Sequence, residues 1–257
     1  MKPAARVRLD TLLVNRGLVE SRARARALIL AGKVDVVGSP AAKAGSLVAV
    51  DAEVRVTTPE HPWVSRGGIK LAHALDLFAI DVSGRLALDI GASTGGFTDV
   101  LLQRGAAQVI ALDVGHGQLH WKLRSDPRVT VIEGANARHL TRVVLSGLDD
   151  GAGIVTIDVS FISLAHILPV VPALCAPGAD VVALVKPQFE AGRAEVGKGG
   201  LVTDPVVHDR VVAQVSAAAA AVGLARVNLT QSPITGTEGN REFLLHLRVA
   251  PGARPGQ

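Results

Sequence analysis

Three charged residues stand near the ends of apolar runs, where they could do chemistry together. Asp89 and Asp158 lie near the ends of two such runs, and Lys186 directly follows a third. Each run has the length and composition of a short buried strand. Because the carboxyl ends of parallel strands meet at one edge of a sheet, we expect these side chains to converge there. A charged lysine that follows a buried strand loses solvation, which costs free energy. We therefore expect it to have an oppositely charged partner or a role in the chemistry.

A glycine-rich turn follows the first of these runs. The run Leu86 to Ile90 leads into Gly91-Ala-Ser-Thr-Gly-Gly96, and an amphipathic segment then begins at Phe97. Glycines let backbone approach a ligand closely, and the N–H groups at the start of a helix face that ligand. This order of strand, turn and helix predicts the opening of a nucleotide-type βαβ unit.

The turn departs from the dinucleotide fingerprint G-x-G-x-x-G, because Ser93 stands where the second glycine should be. That departure favours S-adenosylmethionine (SAM), while a dinucleotide site and a purely structural turn stay open alternatives. Asp113 ends the next strand roughly 20 residues on, where a ribose hydroxyl pair is usually held. Asn136, after a third strand, could read an adenine edge, although asparagine is also common in turns. The candidate cofactor-binding residues are Asp89, Gly91, Ser93, Gly95, Gly96, Asp113 and Asn136.

The elements that must position these residues can be read from the apolar pattern. Beyond the opening unit, the pattern predicts a helix before the first strand, a helix that closes near Cys175 and an alanine-rich helix from Pro205 to Ala221. The predicted strands span residues 86–90, 108–113, 129–132, 154–158, 180–185, 224–229 and 242–249. We therefore expect an α/β fold with a mostly parallel sheet.

Composition limits the classes of protein. A chain of 257 residues with 48% hydrophobic and 19% charged residues can hold one α/β domain and something small. A single cysteine, Cys175, predicts a reducing compartment and no internal disulfide. The start of the chain lacks the apolar core of a signal peptide, and prolines, His166 and Asp180 interrupt the most apolar stretch. We expect a cytoplasmic protein without a membrane span.

The positive charge is unevenly distributed. Residues 1–60 contain 10 Lys/Arg and 6 Asp/Glu, and the remainder contains 17 of each, so the whole excess of +4 lies in the first quarter. Ser21 and Gly32 bound a predicted helix that carries Arg22 and Arg26 on one face. Such a face can track phosphates, although a solvated basic face is the commoner explanation.

The first quarter resembles the S-four RNA-binding domain. The resemblance rests on Arg8-Leu-Asp-x-x-Leu, Gly17-Leu, Ser21-Arg22, the run Leu28-Ile-Leu-Ala-Gly-Lys-Val and Val37-Gly38. It implies a small α+β domain that binds RNA. The residues we expect at the RNA are Arg8, Arg22, Arg24, Arg26 and Lys33.

The rest of the chain resembles the TlyA family, which joins an S-four domain to a methyltransferase of the FtsJ type. The matching contexts are Ser65-Arg-Gly-Gly-Ile-Lys-Leu, Asp158-Val-Ser-Phe-Ile-Ser, Leu184-Val-Lys-Pro-Gln-Phe-Glu and Gly239-Asn-Arg-Glu-Phe. They supply the Lys-Asp-Lys-Glu set of ribose 2′-O-methyltransferases as Lys70, Asp158, Lys186 and Glu242. The chain departs from the pattern only slightly, with no tyrosine and with His61-Pro before the tryptophan.

The resemblance implies a Rossmann-like SAM-dependent methyltransferase fold with a seven-stranded, mostly parallel sheet whose last strand is antiparallel. The implied substrate is a cytidine 2′-hydroxyl in ribosomal RNA of the small or large subunit, free or in ribosomal subunits. Neither an obligatory protein partner nor a metal site is expected. The expected domains are an RNA-binding domain (1–60), a linker (61–64), a methyltransferase domain (65–250) and a disordered tail (251–257).

Three alternatives remain. The enzyme could methylate another RNA position, or the chain could be a non-catalytic RNA-binding module. It could also be a cytolysin, since the family carries a haemolysin name, although no membrane-inserting segment is evident.

The chemistry suits the four residues. A 2′-hydroxyl is a weak nucleophile and SAM is already a strong methyl electrophile, so the enzyme must align the two and remove a proton. We expect Lys186 to be the general base, with Asp158 and Lys70 setting its state and Glu242 holding Lys70. The alternative is that Lys186 is a permanent cation that clamps the substrate.

Overall fold

The structure is a computed structural model that describes residues 6–19, 21–38, 43–56, 61–141, 150–236 and 238–249; the side chain of Arg24 and the predicted tail lie outside this description. The chain divides into two compact units, Met1–Pro62 and Trp63–Gln257.

The N-terminal unit is a small α+β unit built on two packed helices. Its elements are β1 (Arg6–Arg8), α1 (Leu9–Asn15), α2 (Arg22–Leu30), β2 (Val34–Val36), β3 (Leu47–Ala49) and β4 (Val54–Val56). β1 pairs with β3 and β2 with β4, both antiparallel. Leu9, Leu12, Leu13, Ala25 and Ile29 form the buried centre of this unit, because their helical spacing turns them to one side.

The C-terminal unit has an α/β architecture around one seven-stranded sheet. Its helices are α3 (Gly67–Leu77), α4 (Gly96–Gln103), α5 (Trp121–Arg124), α6 (Val171–Leu174), α7 (Pro187–Glu190) and α8 (Pro205–Ala221). Its strands are β5 (Leu86–Ile90), β6 (Gln108–Asp113), β7 (Val129–Glu133), β8 (Ala152–Ile157), β9 (Cys175–Val185), β10 (Leu224–Gln231) and β11 (Phe243–Val249).

The strand order is β10-β11-β9-β8-β5-β6-β7. All pairs from β9 to β7 are parallel, and β11 is antiparallel to both of its neighbours. This arrangement confirms the predicted fold with its antiparallel last strand. The chain runs outward from β5 through β6 to β7 and then returns to place β8 on the other side of β5. The carboxyl ends of β5 and β8 therefore flank the switch point of the sheet, where ligands bind in open α/β folds.

The central strands of the sheet are buried on both faces, so they appear in the sequence as nearly continuous apolar runs, whereas the edge strand β10 is mostly exposed. Successive residues alternate between two cores: Ala87 packs with α3 and α4, and Leu88 packs with α8 on the opposite face. The same alternation along β9 sends Val182 to the first core and Val181 to the second.

The sequence predictions of individual elements differ from the structure in a few places. The helix predicted to close near Cys175 is instead two 3₁₀ turns and the short α6, because Pro169 and Pro172 interrupt the helical hydrogen bonds. β9 begins five residues earlier than predicted, at Cys175, and the three-residue β1 was not predicted.

Candidate active site

The glycine turn between β5 and α4 lies where backbone from two strands meets. Gly91 has φ +86°, and a Cβ atom on it would lie 2.4 Å from the carbonyl oxygen of Asp158. Only glycine fits this close approach. A Cβ atom on Gly96 would lie 2.4 Å from Ser65 Oγ, so the start of α4 packs directly on the segment before α3. Gly95, also at positive φ, packs against Leu119 and Leu123 instead.

Asp113 anchors two loops at the end of β6. Its Oδ2 accepts a hydrogen bond from the Ser93 N–H (2.8 Å), and its Oδ1 accepts one from the Gly115 N–H (2.7 Å). Each carboxylate oxygen keeps a further lone pair, which suits a pair of hydroxyl donors. Ser93 has φ +47°, a conformation that its hydrogen bond to Asp113 stabilises.

A cavity of about 450 Å³ opens beside Asp113. Asn136, Gly91 and Ser93 also line it. The side-chain carbonyl of Asn136 caps a 3₁₀ turn by accepting from the Arg138 N–H (3.1 Å), which leaves the amide NH₂ group to donate to a ligand. The paired hydroxyl acceptor and this donor fit the ribose and base of an adenosine group.

Asp89 lies behind the cavity wall. Its side chain is fully buried and accepts hydrogen bonds from Thr98 Oγ1 (2.7 Å) and Thr156 Oγ1 (2.9 Å). Burial, with a smaller contribution from the nearby Asp158 carboxylate, raises the pKa of Asp89 to about 6 despite these two hydrogen bonds. The predicted cofactor contact of Asp89 does not match this placement, because the carboxylate accepts from Thr98 of α4 and Thr156 of β8 and so ties β5 to both.

Lys186 follows β9 and forms the first of two ion pairs in the site. Its Nζ lies 2.6 Å from Asp158 Oδ1 and donates a hydrogen bond to Ser160 Oγ (2.8 Å). Asp158 and Ser160 belong to the loop after β8, the neighbouring parallel strand. The side chains of Lys186 and Asp158 are 11% and 21% exposed, so the pair is mostly withdrawn from water but open to the cavity.

The second pair joins Lys70 to Glu242. Lys70 lies in the first turn of α3, where the helix dipole disfavours a cation. Its Nζ donates to Glu242 Oε2 at 2.5 Å, and the side chains are only 11% and 3% exposed. Glu242 directly precedes β11, so the antiparallel strand brings a carboxylate to the helix start and offsets the charge there.

The four predicted catalytic residues line one cavity of about 470 Å³. This cavity adjoins the one beside Asp113, because both are lined by Gly91, Ser93, Asp158, Ser160 and Phe161. Two lysines and two carboxylates thus face a space large enough for a nucleotide-sized group, next to the space that suits adenosine.

Sequence reasoning missed an aromatic pair and an amide at the same cavity. Phe161 is 91% exposed at φ +64°, and its ring centroid lies 5.1 Å from that of Phe189. Such a pair can stack on a base. Gln188 Oε1 is a buried acceptor without a partner in the described residues. The signal for Phe161 was its aromatic type next to Asp158 and Ser160, but sequence does not reveal exposure.

Glu190 ties together the two loops that carry these groups. Its Oε2 accepts from Ser163 Oγ (2.5 Å), and its Oε1 accepts from the Leu164 N–H (2.7 Å). Burial raises the pKa of Glu190. The contact holds α7, which follows Lys186, against the segment that follows Phe161.

In the N-terminal unit, three of the predicted RNA-binding arginines converge on one residue. Arg8, Arg22 and Arg26 all donate to Asp10, whose side chain is fully buried. The hydrogen bond from Arg8, together with those from the other two arginines, holds the pKa of Asp10 well below its usual range. Lys33 is exposed after α2 and takes no part in this cluster.

Two features are absent from the residues that the structure describes. No helix among these residues is long and apolar enough to cross a bilayer. The same residues contain no group of three or more His, Cys, Asp or Glu side chains that could hold a metal ion.

Comparison with known families agrees with both units. The family model of FtsJ-like methyltransferases matches residues 63–249, and that of the S4 domain matches residues 7–54. The chain is 51% identical to the 16S/23S rRNA (cytidine-2′-O)-methyltransferase TlyA of Mycobacterium tuberculosis, over 96% of this chain and 91% of that protein. It is 40% identical to hemolysin A of Brachyspira hyodysenteriae, over 95% of this chain and 100% of that protein.

A solved structure of a protein from Streptococcus thermophilus is similar over most of its length. It is 43% identical, with a TM-score of 0.73, and the match covers 96% of this chain and 90% of that one. The predicted family is therefore confirmed: this chain belongs to the TlyA family of FtsJ-like methyltransferases, with an S4 domain ahead of the methyltransferase domain.

Proposed function

We propose that the protein transfers the methyl group of SAM to the ribose 2′-hydroxyl of cytidine in ribosomal RNA. The observation that carries the proposal is the arrangement of two largely buried ion pairs, Lys186–Asp158 and Lys70–Glu242, around one cavity. Relatives named for the same activity support it. Ribosomal RNA is the proposed partner, as free RNA or within a ribosomal subunit.

The cofactor occupies the cavity beside Asp113 in this proposal. The Asp113 carboxylate holds the ribose hydroxyls, and the Asn136 amide contacts the adenine edge. Backbone of the turn from Gly91 to Gly96 follows the rest of the cofactor; Gly91 and Ser93 line this cavity, and Gly96 lines the neighbouring one that holds the two ion pairs. When bound, SAM supplies an activated methyl group on its sulfonium.

Lys186 takes the proton of the 2′-hydroxyl. For this step it must be neutral when the 2′-hydroxyl arrives. Asp158 lies 2.6 Å away, and Lys70 lines the same cavity. Asp158 then orients Lys186 and stabilises the ammonium that proton capture produces. Glu242 holds Lys70 in place.

The substrate base has a matching surface at the cavity mouth. Phe161 and Phe189 offer aromatic faces next to Ser160, which itself contacts Lys186. Stacking of a base that is turned out of the RNA helix would bring its ribose towards the lysine.

The test uses purified protein, SAM with a labelled methyl group and ribosomal RNA transcribed without modifications. We expect the label in 2′-O-methylcytidine after digestion to nucleosides and mass spectrometry. Separate reactions with small-subunit RNA, large-subunit RNA and intact subunits identify the substrate form. Label in a methylated base, or in no nucleoside from any of these substrates, contradicts the proposal.

A further inference from the structure

The arginine cluster of the S4 domain has a feature that simple charge attraction does not require. Asp10, the second residue of α1, lies in the middle of the three arginines, and its side chain is fully buried. Arg8 contacts both of its carboxylate oxygens, with Nε 3.1 Å from Oδ1 and Nη2 3.0 Å from Oδ2. Arg22 Nη2 and Arg26 Nε each lie 3.2 Å from the same Oδ2. A carboxylate repels RNA, so its position among RNA-binding candidates needs a reason.

Three arginines exceed what one buried carboxylate needs. A single bidentate arginine already offsets the charge, and further cations repel one another. The cluster carries a net charge of +2, and the side chains of Arg8, Arg22 and Arg26 are 45%, 51% and 58% exposed. A guanidinium has five N–H donors, so each of the three keeps donors that Asp10 does not use. These remaining N–H donors are held in place on half-exposed side chains, where the phosphate oxygens of a polyanion can accept hydrogen bonds from them.

The geometry also fixes where these donors lie. Arg8 comes from β1, and Arg22 and Arg26 lie four residues apart on one face of α2. A long arginine side chain loses rotamer freedom when it binds, and that loss weakens affinity unless the side chain is ordered beforehand. The single carboxylate of Asp10 orders all three arginine side chains.

We infer that Asp10 is a positioning residue of the RNA-binding surface: its buried carboxylate fixes Arg8, Arg22 and Arg26 as one preformed phosphate-binding cluster. This inference rests on the proposed function, which makes RNA the partner. It predicts that removing a negative charge weakens binding to RNA. Charge alone predicts the opposite, because Asp10→Asn makes the domain more positive.

The experiment measures binding of the full chain to transcribed ribosomal RNA at several salt concentrations. We expect Asp10→Asn to weaken binding roughly tenfold or more, since three side chains lose their preordering, and to reduce the salt slope. SAM affinity stays unchanged. Asp35→Asn is the matched control: it removes one negative charge from an exposed position on β2, and we expect equal or slightly tighter binding.

A second set of variants distinguishes an effect of Asp10 on arginine positioning from an effect on folding. In the variant with Arg8, Arg22 and Arg26 all changed to Gln, we expect Asp10→Asn to have almost no further effect on RNA affinity. Amide hydrogen exchange of α1 and α2 checks that each variant is folded. Binding by Asp10→Asn that equals or exceeds the parent's overturns the inference. A loss of the same size in the triple-Gln background also overturns it, because Asp10 then acts through folding. If the parent chain itself binds no ribosomal RNA, the proposed function fails instead.

Discussion

Lys186 Nζ lies 2.6 Å from Asp158 Oδ1, and this contact joins the carboxyl ends of two neighbouring parallel strands, β8 and β9. A second ion pair, Lys70–Glu242, joins α3 to the start of the antiparallel β11 on the same cavity. The site is therefore held by four separate parts of the chain. Each lysine has its own carboxylate, so a positive charge on either lysine is offset within the cavity.

The Lys70–Glu242 pair is expected to stabilise the fold as well as the site. Glu242→Gln leaves a buried lysine without a counter-charge, which costs about 3–5 kcal/mol of unfolding free energy. Denaturant unfolding measures this loss. The matched control is Asp76→Asn, which breaks an ion pair with Arg104 on the surface of the same unit and should cost at most about 1 kcal/mol. Equal losses in the two variants would show that Lys70 is not held as described.

Asp113 is expected to determine cofactor affinity. Asp113→Ala removes the acceptors for the ribose hydroxyls and the anchors of the Ser93 and Gly115 N–H groups. We expect SAM affinity to fall by about 1–3 kcal/mol, roughly 5- to 150-fold. Calorimetry with SAM measures it. Asp126→Asn, which disturbs an exposed pair with Arg128, is the control and should bind SAM as the parent does. Unchanged affinity in Asp113→Ala would remove Asp113 from the cofactor site.

Asp89 predicts a pH dependence of stability. Its folded-state pKa of about 6 exceeds the ordinary value of 3.8, so the folded chain holds a proton that the unfolded chain releases between these pH values. The contribution of Asp89 to the unfolding free energy therefore falls by about 3 kcal/mol as pH rises from about 4 to 6. Above that range the contribution is constant. In Asp89→Asn the side chain at this position does not titrate, so the unfolding free energy of the variant lacks this decrease. Denaturant unfolding of both proteins between pH 4 and 8 measures the difference, which should grow in favour of the variant up to about pH 6. A difference that is independent of pH contradicts the prediction.

Much of the fold could be predicted from the sequence because the central strands of the sheet are buried on both faces. Apolar runs gave β5 and β6 with their observed bounds, and the alanine-rich pattern after Pro205 gave α8. β1 is too short for periodicity to distinguish it from a loop. The stretch before Cys175 is apolar enough for a helix, but its two prolines decide the local hydrogen bonding.

The candidate site was less completely predictable, since partners far apart in sequence determine what a side chain does. Asp89 has the right type and strand position for a ligand contact, yet Thr156, 67 residues away, turns it inward. The arginines of α2 suggested an open basic face, whereas Asp10 gathers two of them with Arg8. Lys70 and Glu242 are 172 residues apart, and only the family resemblance joined them before the structure did.

The central claim is that Lys186 removes the proton from a ribose 2′-hydroxyl. Single-turnover methyl transfer to ribosomal RNA by Lys186→Arg tests it most directly, because arginine keeps the charge and cannot deprotonate under these conditions. With saturating SAM and RNA, and with SAM binding shown to be intact, we expect the rate to fall at least about 10²-fold. Lys186→Ala should fall as far. Methylation by Lys186→Arg at close to the parent rate would contradict the claim and make Lys186 a clamp for the substrate.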